Sequence, residues 1–258
     1  MMKIIQLTDI HIATDGVNTH NVDVRRQLND VLADAIDRGG ARIVLTGDLC
    51  FESPDKAIYS WVREFLEHFA IPYSIIPGNH DDSHMLASCF SLKEHYHEQE
   101  KELYWMEYWE DIPVFFLDSS QGDISDKQKY WLQEKLSVVT RSPLVFMHHP
   151  PVALAVPYMD NLPPRPNTES FVSALQASSH MVHVFVGHYH VDKVAVLENA
   201  IVYATPSTYF QMGQAAQHFE IDHRRPGYRL IELHQGTVLT STHYVAHTPL
   251  KAVETNAD

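Results

Sequence analysis

Short apolar runs alternate with amphipathic stretches along the first two thirds of the chain, and the apolar runs stop on polar clusters. Lys3 to Thr8 reads as a strand ending in Asp9-Ile10-His11. Val24, Leu28, Val31, Leu32, Ala35 and Ile36 fall on one helical face, and Gly39-Gly40 ends that helix. Arg42 to Thr46 predicts a second strand, stopped by Gly47-Asp48. Ser53 and Pro54 suit the cap and first turn of a helix with Ile58, Trp61, Val62, Phe65, Leu66 and Phe69 on its buried face. Tyr73 to Ile76 is a third strand. Pro77-Gly78 turns the chain there and delivers Asn79, His80, Asp81 and Asp82.

The pattern continues with a short helix near 84–90 and paired strands at 104–109 and 112–117. Ser125 with Gln128 predicts a capping box at the start of the next helix. A strand at 143–147 stops at His148-His149, and the proline-rich stretch 151–167 has no regular period. A helix follows at about 168–178, then a strand from Val182 to Val186 that ends in Gly187-His188-Tyr189-His190. From Val191 onward the chain reads mostly as strands, at 193–197, 200–204, 217–222, 228–234 and 238–245. Strands that alternate with helices imply an α/β fold with parallel pairing, and ligands of such sheets bind beyond the carboxyl ends of the strands. The polar clusters would then share one edge. A single domain over 1–248 is expected, with metal motifs at 9–190, strands at 191–246 and a flexible tail at 249–258.

Composition narrows the function. The chain has 258 residues and a net charge of -14. That acidity argues against polymeric nucleic acid as a partner. No apolar run is long enough for a transmembrane helix. Asp9 comes too early for a signal-peptide core, and two cysteines make no disulfide framework, so a cytoplasmic protein is expected. The 18 histidines are many for this length and point to metal. Oxygen and nitrogen donors without thiolate suit manganese, iron, zinc, cobalt or nickel. The donors outnumber what one tetrahedral ion needs. Two adjacent ions need a shared anion, for which Asp48 is the natural candidate. Such a pair can bind the oxygens of a phosphate and generate hydroxide at neutral pH, while His80 can protonate the leaving alkoxide. Either His148 or His149 could be the ligand; His148 is nearer the strand end, and His149 could instead touch substrate. Asp81 could accept a hydrogen bond from His80 or cap the following helix. Cys50 reads as a small buried core residue.

These motifs resemble the calcineurin-like metallophosphoesterases, whose pattern runs Asp-x-His, Gly-Asp, Gly-Asn-His-Asp/Glu, His and Gly-His-x-His. It is present here as Asp9/His11, Gly47-Asp48, Gly78-Asn79-His80-Asp81, His148 and Gly187-His188-Tyr189-His190. Leu117-Asp118-Ser119, Pro150, Ala204 to Thr208 with Gln211, and Pro226 to Arg229 are similar to the cyclic-AMP branch of the bacterial class III cyclic-nucleotide phosphodiesterases. The resemblance implies a four-layer α/β/β/α sandwich with a dinuclear site. Asp9, His11 and His190 would hold one ion, often iron. Asn79, His148 and His188 would hold the other, often manganese, with Asp48 bridging and His80 over the phosphate. Stretch 151–167 would be a lid, with Met159, Asp160 and Asn167 as candidate contacts. Tyr189 departs from the small or aliphatic residue usual at its position and could reshape the pocket wall. The implied substrate is a small phosphodiester, cyclic AMP or a related cyclic nucleotide. The alternatives are a glycerophosphodiesterase and, more remotely, a non-catalytic binding scaffold. Members of the branch occur as monomers and as homo-oligomers.

Overall fold

The computed structural model describes residues 2–163 and 167–246. Its main strands are β1 (Met2–Leu7), β2 (Arg42–Thr46), β3 (Tyr73–Ile76), β4 (Trp105–Trp109), β5 (Ile112–Phe116) and β6 (Leu144–Phe146). They continue with β7 (Val182–Val186), β8 (Lys193–Val196), β9 (Ala200–Ala204), β10 (Gly227–His234) and β11 (Thr237–Tyr244). The helices are α1 (Val24–Asp37), α2 (Lys56–His68), α3 (Ser83–Cys89), α4 (Asp126–Leu136), α5 (Pro157–Asp160) and α6 (Thr168–Leu175).

The strands form two main sheets, ordered β11-β10-β1-β2-β3 and β8-β9-β7-β6-β5-β4. Strands β1, β2 and β3 are parallel, as are β5, β6, β7 and β9, while β10 pairs antiparallel with β1 and β11, β8 with β9, and β4 with β5. The inner face of the second sheet carries a ladder of stacked rings: Phe116 on Phe146 at 5.6 Å, Phe146 on Phe185 at 5.3 Å and Phe185 on Tyr203 at 4.9 Å. Arg42 of β2 covers Trp109 of β4 at 4.6 Å, and the Gln6 amide of β1 donates to the Val186 carbonyl of β7 at 3.3 Å. These contacts join the sheets face to face. On the outer sides, the Tyr228 hydroxyl of β10 donates to Asp34 of α1 at 2.6 Å, and Trp131 of α4 packs edge-on against Phe115 of β5. Helices therefore lie outside both sheets, as the expected sandwich requires.

Helix starts depart from the sequence pattern where side chains compete for the cap. Asp55 caps α2 by accepting from the Ala57 amide at 2.7 Å, so neither Ser53 nor Pro54 takes the expected place. Ser125 does cap α4, accepting from the Gln128 amide at 3.1 Å. The Gln128 side chain leaves the capping box and bonds both main-chain groups of Asp118 at 2.9 and 3.0 Å. The 217–222 strand is reduced to Ile221–His223. The tail expected at 249–258 lies outside the described residues.

Candidate metal centre

Each polar cluster sits at the carboxyl end of a strand. Asp9 and His11 follow β1, Asp48 follows β2, Asn79 and His80 follow β3, His148 follows β6, and His188 and His190 follow β7. Parallel pairing puts the first three on one sheet edge and the rest on the facing edge. The backbone then turns each donor inward. Asp9, His11, Asp48, His188 and His190 all take left-handed φ angles, between 44° and 66°. Non-glycine residues rarely adopt that region, and it costs about 1–3 kcal/mol per residue. Glycine is required where the turns touch. A Cβ at Gly78 would strike the Asp48 carboxylate, and one at Gly187 would strike the Thr8 hydroxyl.

The donors meet closely. His11 Nε2 lies 3.3 Å from His190 Nε2, and His190 Nε2 lies 3.3 Å from Asp9 Oδ1. Asp48 Oδ2 is 3.7 Å from His11 Nε2 and 3.4 Å from His148 Nε2, so it stands between the two halves of the site. Asn79 Oδ1 is 3.2 Å from His148 Nε2. Asp9–His11–His190 and Asp9–Asp48–His148 each bring their ligand atoms within 4.8 Å of one another.

Tautomers decide whether this is a cation site. Carbonyl oxygens only accept. The Cys50 carbonyl at 3.2 Å from His11, the Phe210 carbonyl at 3.0 Å from His190 and the Thr46 carbonyl at 2.7 Å from His148 each hold a hydrogen on Nδ1. That leaves Nε2 lone pairs pointing at one another and at two carboxylates. Such a set repels itself without a cation among it, so the residues fit two divalent ions. Burial pushes His11 down to about 4 and His188 down to about 3, so both are ready as neutral ligands. Burial would also lower His148, but the Asp48 carboxylate beside it outweighs that and raises it to about 9. Burial would raise Asp9 and Asp48, yet the facing histidines hold both carboxyls below the usual range.

One prediction follows from these directions. In the metal-free protein at neutral pH, a proton on His148 Nε2 takes the place of a cation, and binding must expel it. Mn²⁺ titration at pH 7.5 is expected to release about one proton per chain, with affinity rising toward pH 9 and levelling above it. Calorimetry in buffers of different ionisation enthalpy measures this. Release of no proton would mean that His148 is already neutral.

The other expected residues fall outside the inner set. His80 is half-buried at the mouth, with Nδ1 3.2 Å from the Glu52 carbonyl and Nε2 3.9 Å from Asp48. Asp81 does not reach the His80 ring, and Asp82 caps α3 in its stead. Asp81 accepts from the Leu49 amide at 3.2 Å, the Gly78 amide at 2.9 Å and the Tyr59 hydroxyl at 3.1 Å, tying the Asp48 turn to the Gly78 turn. Burial and the nearby Asp48 raise it to about 6. His149 is buried behind His188 at 4.2 Å between ring centres, with Nδ1 3.3 Å from the Ser119 hydroxyl. Cys50 is fully buried.

Residues 151–163 contain the short helix α5 and form a roof between two cavities of about 190 and 270 Å³, with Met159, Leu162 and His188 bordering both. Asp160 accepts from the Leu154 and Val156 amides at 3.0 and 2.8 Å and from the Tyr189 hydroxyl at 2.9 Å. Its carboxylate fastens the roof to the His188–His190 turn, and the residue also lines the smaller cavity, beside Met159. Tyr189 is the other half of that latch. Asn167 caps α6 and lies outside the lining of both cavities. The sequence pattern missed the larger cavity's aromatic wall of His20, Phe51, Tyr209, Phe210 and Phe219. These rings lie on loops, where no hydrophobic period marks them.

Comparison with known proteins agrees with this geometry. Residues 2–192 match the family described as calcineurin-like phosphoesterase. A protein of Fibrobacter succinogenes named "probable cyclic nucleotide phosphodiesterase" is 31% identical over 249 residues, covering 96% of each chain. The 3',5'-cyclic adenosine monophosphate phosphodiesterase CpdA of Escherichia coli is 29% identical, covering 96% of this chain and 91% of that one. A dimetal phosphatase of Danio rerio has the same fold, with a TM-score of 0.69 at 12% identity over 93% of this chain and 95% of that one. With the family match spanning most of the chain and a relative above 30% identity along nearly all of it, this protein belongs to the calcineurin-like phosphoesterase family.

Proposed function

We propose that this phosphodiesterase hydrolyses 3',5'-cyclic AMP or a related cyclic nucleotide, using two divalent ions, iron or manganese or both. Asp9, His11 and His190 would hold one ion, Asn79, His148 and His188 the other, and Asp48 both. The observation that carries the reading is the ring of inward Nε2 lone pairs, fixed by carbonyls at Nδ1, around Asp9 and Asp48. The bound ions would supply positive charge to the phosphate oxygens and a water of lowered pKa. His80 stands at the open side of the cradle. The Glu52 carbonyl orients its ring through Nδ1, and its Nε2 would give a proton to the ribose 3'-oxygen as that P–O bond breaks and water's oxygen joins phosphorus. The product is the 5'-nucleotide. Similarity along nearly the whole length to relatives named for cyclic nucleotides supports the substrate class. The free, buried Cys50 and Cys89 suit a reducing cytoplasm, and no helix among the described residues is long and apolar enough to cross a membrane.

The test is turnover by Mn²⁺-loaded protein of cyclic AMP, glycerophosphocholine and bis-(p-nitrophenyl) phosphate. Cyclic AMP is expected to exceed glycerophosphocholine in kcat/KM by more than about tenfold, or roughly 1.4 kcal/mol of transition-state discrimination. A reversed ratio would move the assignment to glycerophosphodiesters. Failure to cleave any diester would leave a binding scaffold.

A further inference from the structure

The larger cavity beside the metal cradle has a wall the hydrolytic chemistry does not use. Phe51 and Tyr209 meet edge to face at 5.9 Å, His20 lies 6.2 Å from Phe51 and 5.7 Å from Phe219, and Tyr158 of the roof meets Phe219 at 6.2 Å. These rings come from separate loops and converge on one recess. It opens directly onto the cradle, since the Tyr209 ring is 5.3 Å from that of His11. The wall is held in place. His20 Nδ1 is 2.7 Å from the Tyr209 hydroxyl, and Arg224 Nε donates to the His20 carbonyl at 3.0 Å, fixing His20 at a left-handed φ of 51°. The Tyr158 amide donates to the Ala216 carbonyl at 3.1 Å, which ties the roof to the loop that carries Phe219. Among the described residues, no lysine or arginine lines the recess, and its one carboxylate is Asp48.

We propose that the recess formed by His20, Phe51, Tyr209 and Phe219 is the subsite for the nucleobase of the substrate. The assignment rests on the cyclic-nucleotide reading and gives it a place in the structure. In a cyclic nucleotide the ribose alone separates phosphate from base, so a phosphate at the cradle puts the base against the adjoining wall. Aromatic faces and edges bind a flat, uncharged heteroaromatic ring. Aromatic walls also hold quaternary ammonium groups. Here such a cation would face two divalent ions with Asp48 already committed to them, and the repulsion favours the neutral base.

The experiment measures equilibrium binding of AMP, ribose 5-phosphate and phosphocholine to Mn²⁺-loaded wild-type, Phe51→Ala, Phe219→Ala and Phe219→Trp proteins, beside wild-type turnover of cyclic AMP. Phe219 is 45% exposed, so its truncation leaves the core intact. Wild type is expected to bind AMP about tenfold more tightly than ribose 5-phosphate, with phosphocholine no tighter than the sugar phosphate. Each alanine variant should lose most of that preference without changing ribose 5-phosphate binding, and Phe219→Trp should keep it. Equal binding of AMP and ribose 5-phosphate by wild type, an undiminished preference in both alanine variants, or a preference for phosphocholine would each overturn the subsite. Wild type that prefers AMP yet cleaves only other diesters would overturn the cyclic-nucleotide reading and leave the base contact standing.

Discussion

His80→Ala is expected to keep both metal ions and lose about two to four orders of magnitude in kcat, the range spanned by removal of a general acid. The ring is peripheral to the cradle. Its side chain is 33% exposed, while those of Asp9, His11, Asp48, His148 and His190 are 8% exposed or less. The part of His80 that supports the cradle is its main chain, whose amide donates to Asp48 Oδ1 at 2.9 Å and survives the substitution. Metal content measured beside kcat therefore separates the roles. The loss should also depend on the leaving group. A ribose 3'-alkoxide needs a proton as it departs, and p-nitrophenolate needs little, so the deficit should shrink on bis-(p-nitrophenyl) phosphate. An emptied metal site in His80→Ala would make His80 a ligand, and equal deficits on both substrates would remove it as the proton donor.

The placement of these residues was legible because it depends on strand ends. A run such as Arg42 to Thr46 has one way to finish when Gly47-Asp48 follows, and parallel pairing then fixes the edge that Asp48 reaches. What escaped the pattern depends on contacts distant in sequence. The role of Asp81 is set by amides of the Asp48 turn, more than thirty residues upstream. Gln128 left its capping box for the Asp118 main chain, which the sheet holds alongside. The roof helix α5 lies in a proline-rich stretch where Pro157 starts a helix, and Asp160 closes it by reaching back to Leu154 and Val156. The left-handed backbones of His11, His188 and His190 have no local sequence cause, because histidine gains nothing there except the direction of its ring.

Those strained turns bear on the second large effect. Asp48→Asn is expected to weaken both ions more than a hundredfold and abolish turnover, because Asp48 stands between the two halves of the site, at 3.7 Å from His11 and 3.4 Å from His148, whereas Asp9 lies 3.3 Å from His190 and 3.9 Å from His148. The amide keeps the shape and its oxygen can still accept from the His80 amide, so a simple failure to fold is not the expected outcome. Removing the charge also withdraws the main cause of the high His148 pKa, and the proton released on metal binding should disappear with it. Thermal unfolding with and without Mn²⁺ reads the consequence. In wild type, ions that bind only the folded state raise the melting temperature with concentration and offset the cost of five left-handed ligand turns. In Asp48→Asn that rise should vanish, leaving a melting temperature near that of the metal-free wild type. A variant that still gains stability from Mn²⁺ with one ion per chain would mean that Asp48 serves a single ion, and the two halves of the cradle would then be independent sites.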